Sequence, residues 1–397
     1  MTVAVDPYIW DWGDLLFRWL HVIAAIVWIG TSFYFVALDN HLRPPADDRD
    51  AERGVGGESW EIHGGGFYRI EKFRVAPLRL PEPLHWFKWE AYTTWLSGFA
   101  LFIVVYYVHA SSLLVDPTVA DLGTWEAILI SIGGLALAWL VYDALCRVLR
   151  DERLLAAAVF GFVVLAAWGA SRLFAPRAAY LQVGAMVGTV MVANVFFVII
   201  PAHWELIRAK QAGREPDPRW NARGKQRSVH NNYLTLPVLF AMLSNHFAFT
   251  YEHKHAWLVL VALMAIGALA RHFFNLRHAG RNVWWIPATA LVGLGVVAYL
   301  IRPGNGPAVP AGGPAVSFAR ANAVIQERCV PCHSAHPTEA GVGSAPKGIR
   351  FDTRAEIESQ AQAIEQQAVV LKAMPLGNAT HMTQSERDLL ARWLRSR

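Results

Sequence analysis

Long apolar stretches dominate the first 302 residues and constrain the fold more than any other feature. A helix that crosses a bilayer needs about 20 mostly apolar residues, because its backbone polar groups must be satisfied within the helix. Eight stretches have this character, and no internal repeat is evident. They lie near residues 14–38, 90–110, 124–146, 153–173, 179–203, 233–250, 256–276 and 283–302. The sequence therefore predicts an all-α fold, a polytopic membrane bundle of about eight transmembrane helices.

The composition supports a bilayer as part of the solvent. Of the 397 residues, 54% are apolar and 17% are charged, whereas soluble chains carry about a quarter charged residues. The net charge of +5 comes from bases in the loops between apolar stretches, which indicates membrane topology rather than nucleic-acid binding. The three cysteines are too few for a disulfide scaffold. A soluble two-domain enzyme and a nucleic-acid partner are thereby excluded.

The distribution of Lys and Arg predicts the orientation in the membrane. The loops after the first, third, fifth and seventh stretches hold most of these bases, whereas the opposite loops hold Arg172, Arg177 and Lys254. Cytoplasmic loops are enriched in Lys and Arg, so both termini should lie on the periplasmic side of a bacterial inner membrane. The first stretch lacks the features of a signal peptide, so we expect it to remain as an uncleaved helix.

A stretch rich in Pro and Gly at residues 302–314 marks a domain boundary. The residues beyond it are polar enough for a soluble fold. We therefore expect a membrane domain over residues 1–302, a linker over 303–316 and a small second domain over 317–397.

The second domain contains Cys329-Val-Pro-Cys332-His333, the attachment motif of a c-type haem. Two thiols three positions apart can add to the two vinyl groups on one edge of a porphyrin, and the adjacent histidine then reaches the iron. A zinc site would need a second pair of ligands, and no other cysteine lies in this domain. We predict one covalent haem c on Cys329 and Cys332, with His333 as an axial ligand of the iron.

The other axial ligand is predicted to be a methionine, which raises the potential of such a haem. Met374 lies in an extended Met-Pro segment that can cross the far face of the haem. We favour it over Met382 and, further behind, His381. Met382 directly precedes Thr383-Gln-Ser-Glu386, which predicts a capping box at the start of a last helix. With an early helix near 319–327, this domain resembles a class I cytochrome c.

Histidines inside the apolar stretches are functional candidates because ionisable groups are costly in a membrane. His21 lies in the first stretch, His109 closes the second and His246 lies late in the sixth, all toward the outer side. A single buried histidine most often only hydrogen-bonds between packed helices. An outer pair such as His21 with His246 could instead hold an additional haem b, or these histidines could handle protons.

Two polar segments on the predicted inner side suit a polar ligand. The loop over 39–89 contains Gly64-Gly65-Gly66 close to Arg69, which could offer backbone N–H groups and positive charge to an anion, and it ends at Trp89. The second segment, His230-Asn231-Asn232, stands at a predicted helix start. The alternative is that both segments are cytoplasmic loops whose bases fix the topology and contact lipid headgroups.

Four segments together resemble one known family. They are Gly64-Gly65-Gly66-Phe67-Tyr68, the aromatic segment over 86–98, the segment over 230–237 and Cys329-x-x-Cys332-His333. Over nearly its whole length the chain resembles the membrane-bound bacterial urate oxidases that are fused to a cytochrome c. The resemblance implies oxidation of urate to 5-hydroxyisourate in purine degradation. Electrons would pass to haem c and on to a downstream soluble cytochrome or terminal oxidase, rather than directly to oxygen.

The residues are compatible with urate chemistry. Urate is a planar monoanion near neutral pH, so Arg or Lys together with an aromatic ring would recognise it, and general bases would remove its protons. The candidate substrate-binding residues are Arg69, Trp89, His230, Asn231 and Asn232, whereas the catalytic residues and the side of urate entry stay open. The competing hypothesis is a membrane electron-transfer protein, such as a quinol-linked or respiratory cytochrome c subunit, without urate chemistry. A third is a transporter or sensor whose haem domain reports the redox state.

Overall fold

The computed structural model describes residues 7–302, 316–339 and 342–396, and most of them are helical. Long helices run back and forth between the two ends of a bundle, joined by shorter ones. The helices of the bundle are α1 (Pro7–His41), α2 (Asp48–Glu52), α3 (Trp89–Phe102), α4 (Ala110–Leu113), α5 (Thr124–Val148), α6 (Glu152–Leu173), α7 (Pro176–Asn194), α8 (Ile200–Gln211), α9 (Pro218–Leu243), α10 (Ala248–Tyr251), α11 (Ala256–His278) and α12 (Trp285–Leu300).

Several of these helices are suited to a membrane. Five are long and apolar enough to cross one: Trp12–His41, Thr124–Val148, Glu152–Leu173, Pro176–Gln211 and Ala256–His278. The fourth of these is α7 and α8 joined by a π-helical turn, Val195–Ile199. The other three predicted spans correspond to α3 with the π-helical turn Ile103–Tyr107, to α9, and to the shorter apolar α12. The total of eight spans stays a prediction.

The sixth predicted span, residues 233–250, corresponds to α9, and the bounds of this helix differ from the prediction. It begins at Pro218, with the Asp217 side chain accepting a hydrogen bond from the Arg219 backbone N–H at 2.9 Å, and it ends at Leu243. The first half of α9 is polar and mostly exposed, with Gly224 and Arg227 buried, so an apolar run does not mark it. As a result, residues 230–232 lie in mid-helix rather than at a helix start. His246 lies in a 3₁₀ turn beyond the helix rather than within it.

A β-hairpin in the 39–89 segment corrects the all-α expectation. Strands β1 (Val55–His63) and β2 (Gly66–Phe73) pair antiparallel, with His63 opposite Gly66. Gly64 and Gly65 form the turn between them with φ of 59° and 82°, which is the conformation that a two-residue hairpin turn requires of both residues. The glycine run therefore closes a turn, and the hairpin gives the long segment an ordered structure.

Different segments cover the two ends of the bundle, which we call the lower and the upper end. At the lower end, the hairpin lies next to the end of α1, where Arg43 pairs with Glu58 of β1 and the Lys72 ammonium lies 2.5 Å from Asp39 Oδ1. At the upper end, α4 and the start of α7 are joined by a hydrogen bond of 3.0 Å from the Ala175 N–H to the Leu114 carbonyl oxygen.

The C-terminal region, residues 316–396, has its own hydrophobic core. Its helices are α13 (Phe318–Arg328), α14 (Arg354–Ser359), α15 (Ala361–Ile364) and α16 (Gln384–Arg395). Ile325, Ile357 and Leu390 are fully buried in this core. The predicted linker lies outside the described residues except for Val316, which is buried in the same core.

The two helices expected in the C-terminal region are confirmed. The early helix, predicted near 319–327, is α13. The last helix, α16, starts with the predicted capping box: the Thr383 hydroxyl accepts from the Glu386 N–H at 3.3 Å, and the Glu386 carboxylate accepts from the Thr383 N–H at 2.6 Å.

Candidate functional site

The Cys-x-x-Cys-His segment forms a turn at the end of α13. The Cys329 N–H donates to the Ile325 carbonyl oxygen at 2.8 Å, and the Cys329 carbonyl oxygen accepts from the N–H groups of Cys332 at 3.2 Å and His333 at 2.9 Å. Neither thiol is in a disulfide. Burial raises the pKa of Cys329 to about 12 and also raises the pKa of Cys332. Both side chains are therefore held as protonated thiols on one tight turn.

The His333 ring is oriented by a backbone group. Its Nδ1 lies 3.0 Å from the Ile349 carbonyl oxygen, and the ring packs against Phe351 with centroids 5.2 Å apart. A carbonyl oxygen only accepts, so Nδ1 holds the proton and Nε2 keeps its lone pair. Iron-ligating histidines are commonly fixed in this way.

Both candidate methionines reach the core that contains Cys329. Met382 is buried, with 3% of its surface exposed, whereas Met374 is half-buried and packs against the same core. Arg387 in α16 donates to the carbonyl oxygens of Met374, at 2.7 Å, and of Ala368. His381 is exposed. This donor set fits a haem c, and the choice of Met374 over Met382 stays a prediction.

The Met-Pro loop, defined as residues 374–378, contacts the upper end of the bundle. Gly377 has a φ of 57°, and a Cβ added there would overlap the carbonyl oxygen of Ser112 in α4. A cavity of about 410 Å³ lies beside this contact. The charged residues that line it are Asp116, Arg177, Glu252, Lys372 and Arg387.

Among the candidate histidines, His21 has the most constrained surroundings. Its Nδ1 lies 2.9 Å from the Thr94 carbonyl oxygen, and a Cβ at Gly98 would lie 2.7 Å from its Cε1. The ring therefore packs across the aromatic segment of α3 that contributes to the family resemblance. His109 bonds to the Val104 carbonyl oxygen at 3.2 Å, and His246 is exposed. No hydrogen bond or ring contact in the described part of the chain joins the three, so haem b stays a prediction.

Arg69 and Trp89 are both placed at the lower end. The Arg69 guanidinium on β2 pairs with the carboxylates of Asp50 and Glu58, so its charge is already balanced. Trp89 is the first residue of α3 and is 65% exposed, with the Lys88 ammonium 5.7 Å from the ring centroid. The structure does not bring these two residues together with the polar groups inside the bundle.

His230 and Asn231 belong to a buried polar network between α5, α7 and α9. The Tyr142 hydroxyl lies 2.7 Å from His230 Nδ1, and the Asn194 side chain donates to Asn231 Oδ1 at 2.8 Å. Each of these side chains therefore has a protein partner.

Asn232 lies at a second polar cluster, between α1, α9 and α11. Its Nδ2 donates to the Ser32 carbonyl oxygen at 3.2 Å, while its Oδ1 accepts from Arg271 Nε at 2.9 Å and from Asn275 Nδ2 at 3.0 Å. The Arg271 guanidinium lies 3.9 Å from the centroid of the Phe33 ring. The topology prediction treated Arg271 as a loop base, but it lies within α11 and is only 4% exposed.

Three side chains on one face of α11 are left incompletely bonded. Arg271 Nη2, Asn275 Oδ1 and His278 Nδ1 are buried and have no hydrogen-bond partner among the residues that the structure describes. Their spacing of four and three residues places them on one side of the helix. Sequence reasoning missed Arg271 and Asn275, although ionisable and amide groups at helical spacing in an apolar helix were the available indication.

The family model for the urate oxidase N-terminal domain matches residues 7–302. The chain belongs to the urate oxidase N-terminal family. Membership indicates a urate-related function and an oxidoreductase. No curated protein and no solved structure matches the chain.

The urate oxidase N-terminal domain contains two deeply buried arginines whose charges are balanced differently. Arg227 of α9, like Arg271 counted as a loop base in the topology prediction, donates from Nη2 to Asp143 Oδ1 at 2.7 Å. Arg271 contacts an amide and an aromatic ring, and no described carboxylate pairs with it. Arg227 is thus internally neutralised, whereas Arg271 is left with an uncompensated charge.

Proposed function

We propose that this protein oxidises urate to 5-hydroxyisourate and passes the electrons to a haem c in its C-terminal region, and from there to the respiratory chain. The observation that carries the proposal is the contact of the Met-Pro loop with α4 of the urate oxidase N-terminal domain. The domain whose family is associated with urate and the region that carries the haem attachment motif would thereby be in direct contact within one chain.

The donor set on the C-terminal region supports the haem assignment. Cys329 and Cys332 would hold the porphyrin covalently, and His333 would offer Nε2 to the iron because Nδ1 is bound to Ile349. Met374 would offer its sulfur, with its carbonyl oxygen held by Arg387. When bound, haem c accepts one electron at a time.

The reaction must release two electrons per urate. Urate and water give 5-hydroxyisourate, two protons and two electrons, so one urate fully reduces the haem of two chains. General bases in the urate oxidase domain would accept the protons. Oxygen is not needed as an oxidant, because the electrons leave through the haem.

The proposed membrane orientation places the upper end in the periplasm and the lower end in the cytoplasm of a bacterial inner membrane. Moving Arg227 and Arg271 from the loops into the bundle weakens the charge asymmetry only slightly, since the other lower-end bases remain in or next to connecting segments. The C-terminal region then lies on the side where c-type haems are attached.

A b-type haem remains a proposal of smaller scope. His21 would offer Nε2 as one ligand, because Nδ1 is bound to Thr94. The described residues show no second histidine in contact with His21, so we derive no step through such a haem.

Anaerobic titration of the purified full-length protein with urate tests the proposal. We expect loss of the urate absorbance together with reduction of haem c, in a ratio of one urate to two haems. A Cys329→Ala/Cys332→Ala double variant should lack covalent haem and should oxidise no urate without oxygen. Urate loss with hydrogen peroxide formation and an oxidised haem would contradict the electron route. Haem reduction by quinol but not by urate would favour the electron-transfer alternative.

A further inference from the structure

We infer that Arg271, Asn275 and Asn232 form the binding site of the anionic oxopurine ring, in the lower half of the bundle. The inference rests on the proposed function and names the place where its substrate binds. It is carried by two buried and unpaired atoms on neighbouring side chains, Arg271 Nη2 and Asn275 Oδ1.

The first step concerns charge. A buried cation without a counter-charge is costly, so buried charges are normally paired. Arg227 follows this rule through Asp143. Arg271 is equally buried, yet its guanidinium contacts Asn232 Oδ1 and the Phe33 ring, and neither carries a negative charge. Its Nη2 has no hydrogen-bond partner in the part of the chain that the structure describes. A bound monoanion would supply the missing charge and the missing hydrogen-bond acceptor.

The second step concerns the orientation of the two amides. Asn232 must present Oδ1 to α11, because its Nδ2 donates to the Ser32 carbonyl oxygen. Asn275 must then direct Nδ2 toward Asn232, since two oxygens facing each other would repel. Asn275 Oδ1 is therefore left as a buried acceptor that needs a donor.

A site with an unpaired donor and an unpaired acceptor selects a ligand that both accepts and donates hydrogen bonds. An oxopurine monoanion has carbonyl oxygens and a deprotonated nitrogen that accept from Arg271, and ring N–H groups that donate to Asn275. A simple inorganic anion such as chloride can only accept, and would leave Asn275 Oδ1 unsatisfied. On the same face, His278 Nδ1 adds a third unpaired atom that could accept a proton from the ring.

The cavity at the upper end is the competing location. It contains Arg177, Lys372 and Arg387, and the buried Arg177 Nε has no hydrogen-bond partner among the described residues. However, the Asp116 carboxylate in it opposes the binding of an anion, and its Arg387 guanidinium already donates to the carbonyl oxygens of Met374 and Ala368. It lies between the bundle and the Met-Pro loop, so we assign it to their interface.

The decisive variant is Asn275→Asp. A carboxylate four residues from Arg271 on the same helix would offer the counter-charge that Arg271 lacks, so an anionic ligand should be repelled. It also gives up the hydrogen bond to Asn232 Oδ1, so the variant is shown to be folded before its binding is measured. Arg271→Met removes the charge itself. Arg277→Met is the matched control, because Arg277 is exposed on the same helix, and Arg177→Met tests the upper cavity.

Binding is measured by equilibrium dialysis of radiolabelled urate with the full-length haem-loaded protein, and function by the rate of anaerobic haem reduction. We expect Asn275→Asp and Arg271→Met to raise the Kd for urate about 10- to 100-fold, the effect of losing a charge-assisted hydrogen bond. Arg277→Met and Arg177→Met should bind urate as the wild type does. The haem spectrum and a single elution peak show that each variant is folded.

The possible failures are distinguishable. Wild-type protein that neither binds nor oxidises urate would overturn the proposed function. Wild-type protein that oxidises urate, together with an unchanged Kd in folded Asn275→Asp, would overturn only the site. Loss of binding in Arg177→Met but not in Asn275→Asp would move the site to the upper cavity.

Discussion

Arg227 donates to Asp143 across 2.7 Å in the interior of the bundle, and this ion pair joins α9 to α5. Arg227 also lies over the Tyr142 ring, 4.9 Å from its centroid, and Asn194 bonds to the Tyr142 hydroxyl at 3.2 Å. The pair is therefore the centre of a network whose members satisfy one another.

Replacing Asp143 with Asn should destabilise the protein strongly. The substitution keeps the shape but leaves Arg227 buried without a counter-charge, which costs about 3 kcal/mol or more. Thermal unfolding in detergent measures the effect. The control is Asp217→Asn, because the Asp217–Arg219 pair is exposed and Asn also caps a helix. Equal unfolding temperatures for the two variants would contradict the role of the buried pair.

Gly377→Ala should disconnect the haem from the urate oxidase domain. The added methyl group overlaps the Ser112 carbonyl oxygen, so the Met-Pro loop must move away from α4. We expect haem reduction by urate to slow at least 10-fold, whereas reduction by ascorbate stays unchanged. Gly348→Ala is the matched control: its φ of 67° brings the same backbone strain, but nothing lies near the added methyl group. Equal rates in the two variants would show that this contact is not needed.

The two methionines can be separated by their effect on the haem potential. Since a methionine ligand raises the potential, Met374→Ala should lower the midpoint potential and change the visible spectrum. Met382→Ala should lower the stability, because a buried core side chain is lost, and should keep the potential near that of the wild type. A redox titration of both variants is the measurement. The reverse pattern would identify Met382 as the ligand.

Glu252 should make the stability depend on pH. Burial raises its pKa to about 8, with Asp116 acting in the same direction and Arg387 opposing it. The folded protein therefore holds this proton more tightly than the unfolded chain does. The resulting stability is complete below the unfolded-state pKa and is lost as the pH rises toward 8.

Glu252→Gln should remove the loss of stability at high pH, because the glutamine side chain stays neutral. Between pH 5 and pH 9, the unfolding temperature should fall more in the wild type than in this variant. Glu215→Gln, at a side chain that is 80% exposed, should follow the wild type. Parallel curves for all three proteins would show that Glu252 does not control this pH dependence.

The sequence predicts local features well because local chemistry produces them. The apolar runs of α5, α6 and α11 are helices close to the predicted bounds. The capping box at Thr383 predicts the start of α16, since its two hydrogen bonds lie within four residues. In the 39–89 segment the prediction was wrong: Gly64 and Gly65 were interpreted as part of an anion-binding loop, whereas they form the turn of a hairpin. Two glycines between strand-like residues are also a hairpin signal.

The candidate site could not be predicted because it depends on contacts between distant helices. Arg227 and Arg271 look alike in the sequence, each being a base next to a polar segment. Only the packing shows that Asp143, 84 residues away, neutralises the first, whereas the second faces an amide and a ring. Apolar periodicity also misses the first half of α9, because its residues are polar and mostly exposed. Arg227 is buried there only because Asp143 of another helix pairs with it.

The position of Arg271 has an energetic consequence for the cell. It lies 15 residues along α11 from the upper end, about 22 Å at 1.5 Å per residue. In the proposed orientation, each electron taken from urate moves away from the negatively charged side of the membrane. That movement is favoured by about 2.3 kcal/mol per 100 mV for a full crossing. Urate oxidation would therefore draw on the membrane potential, and an uncoupler should slow it in intact cells.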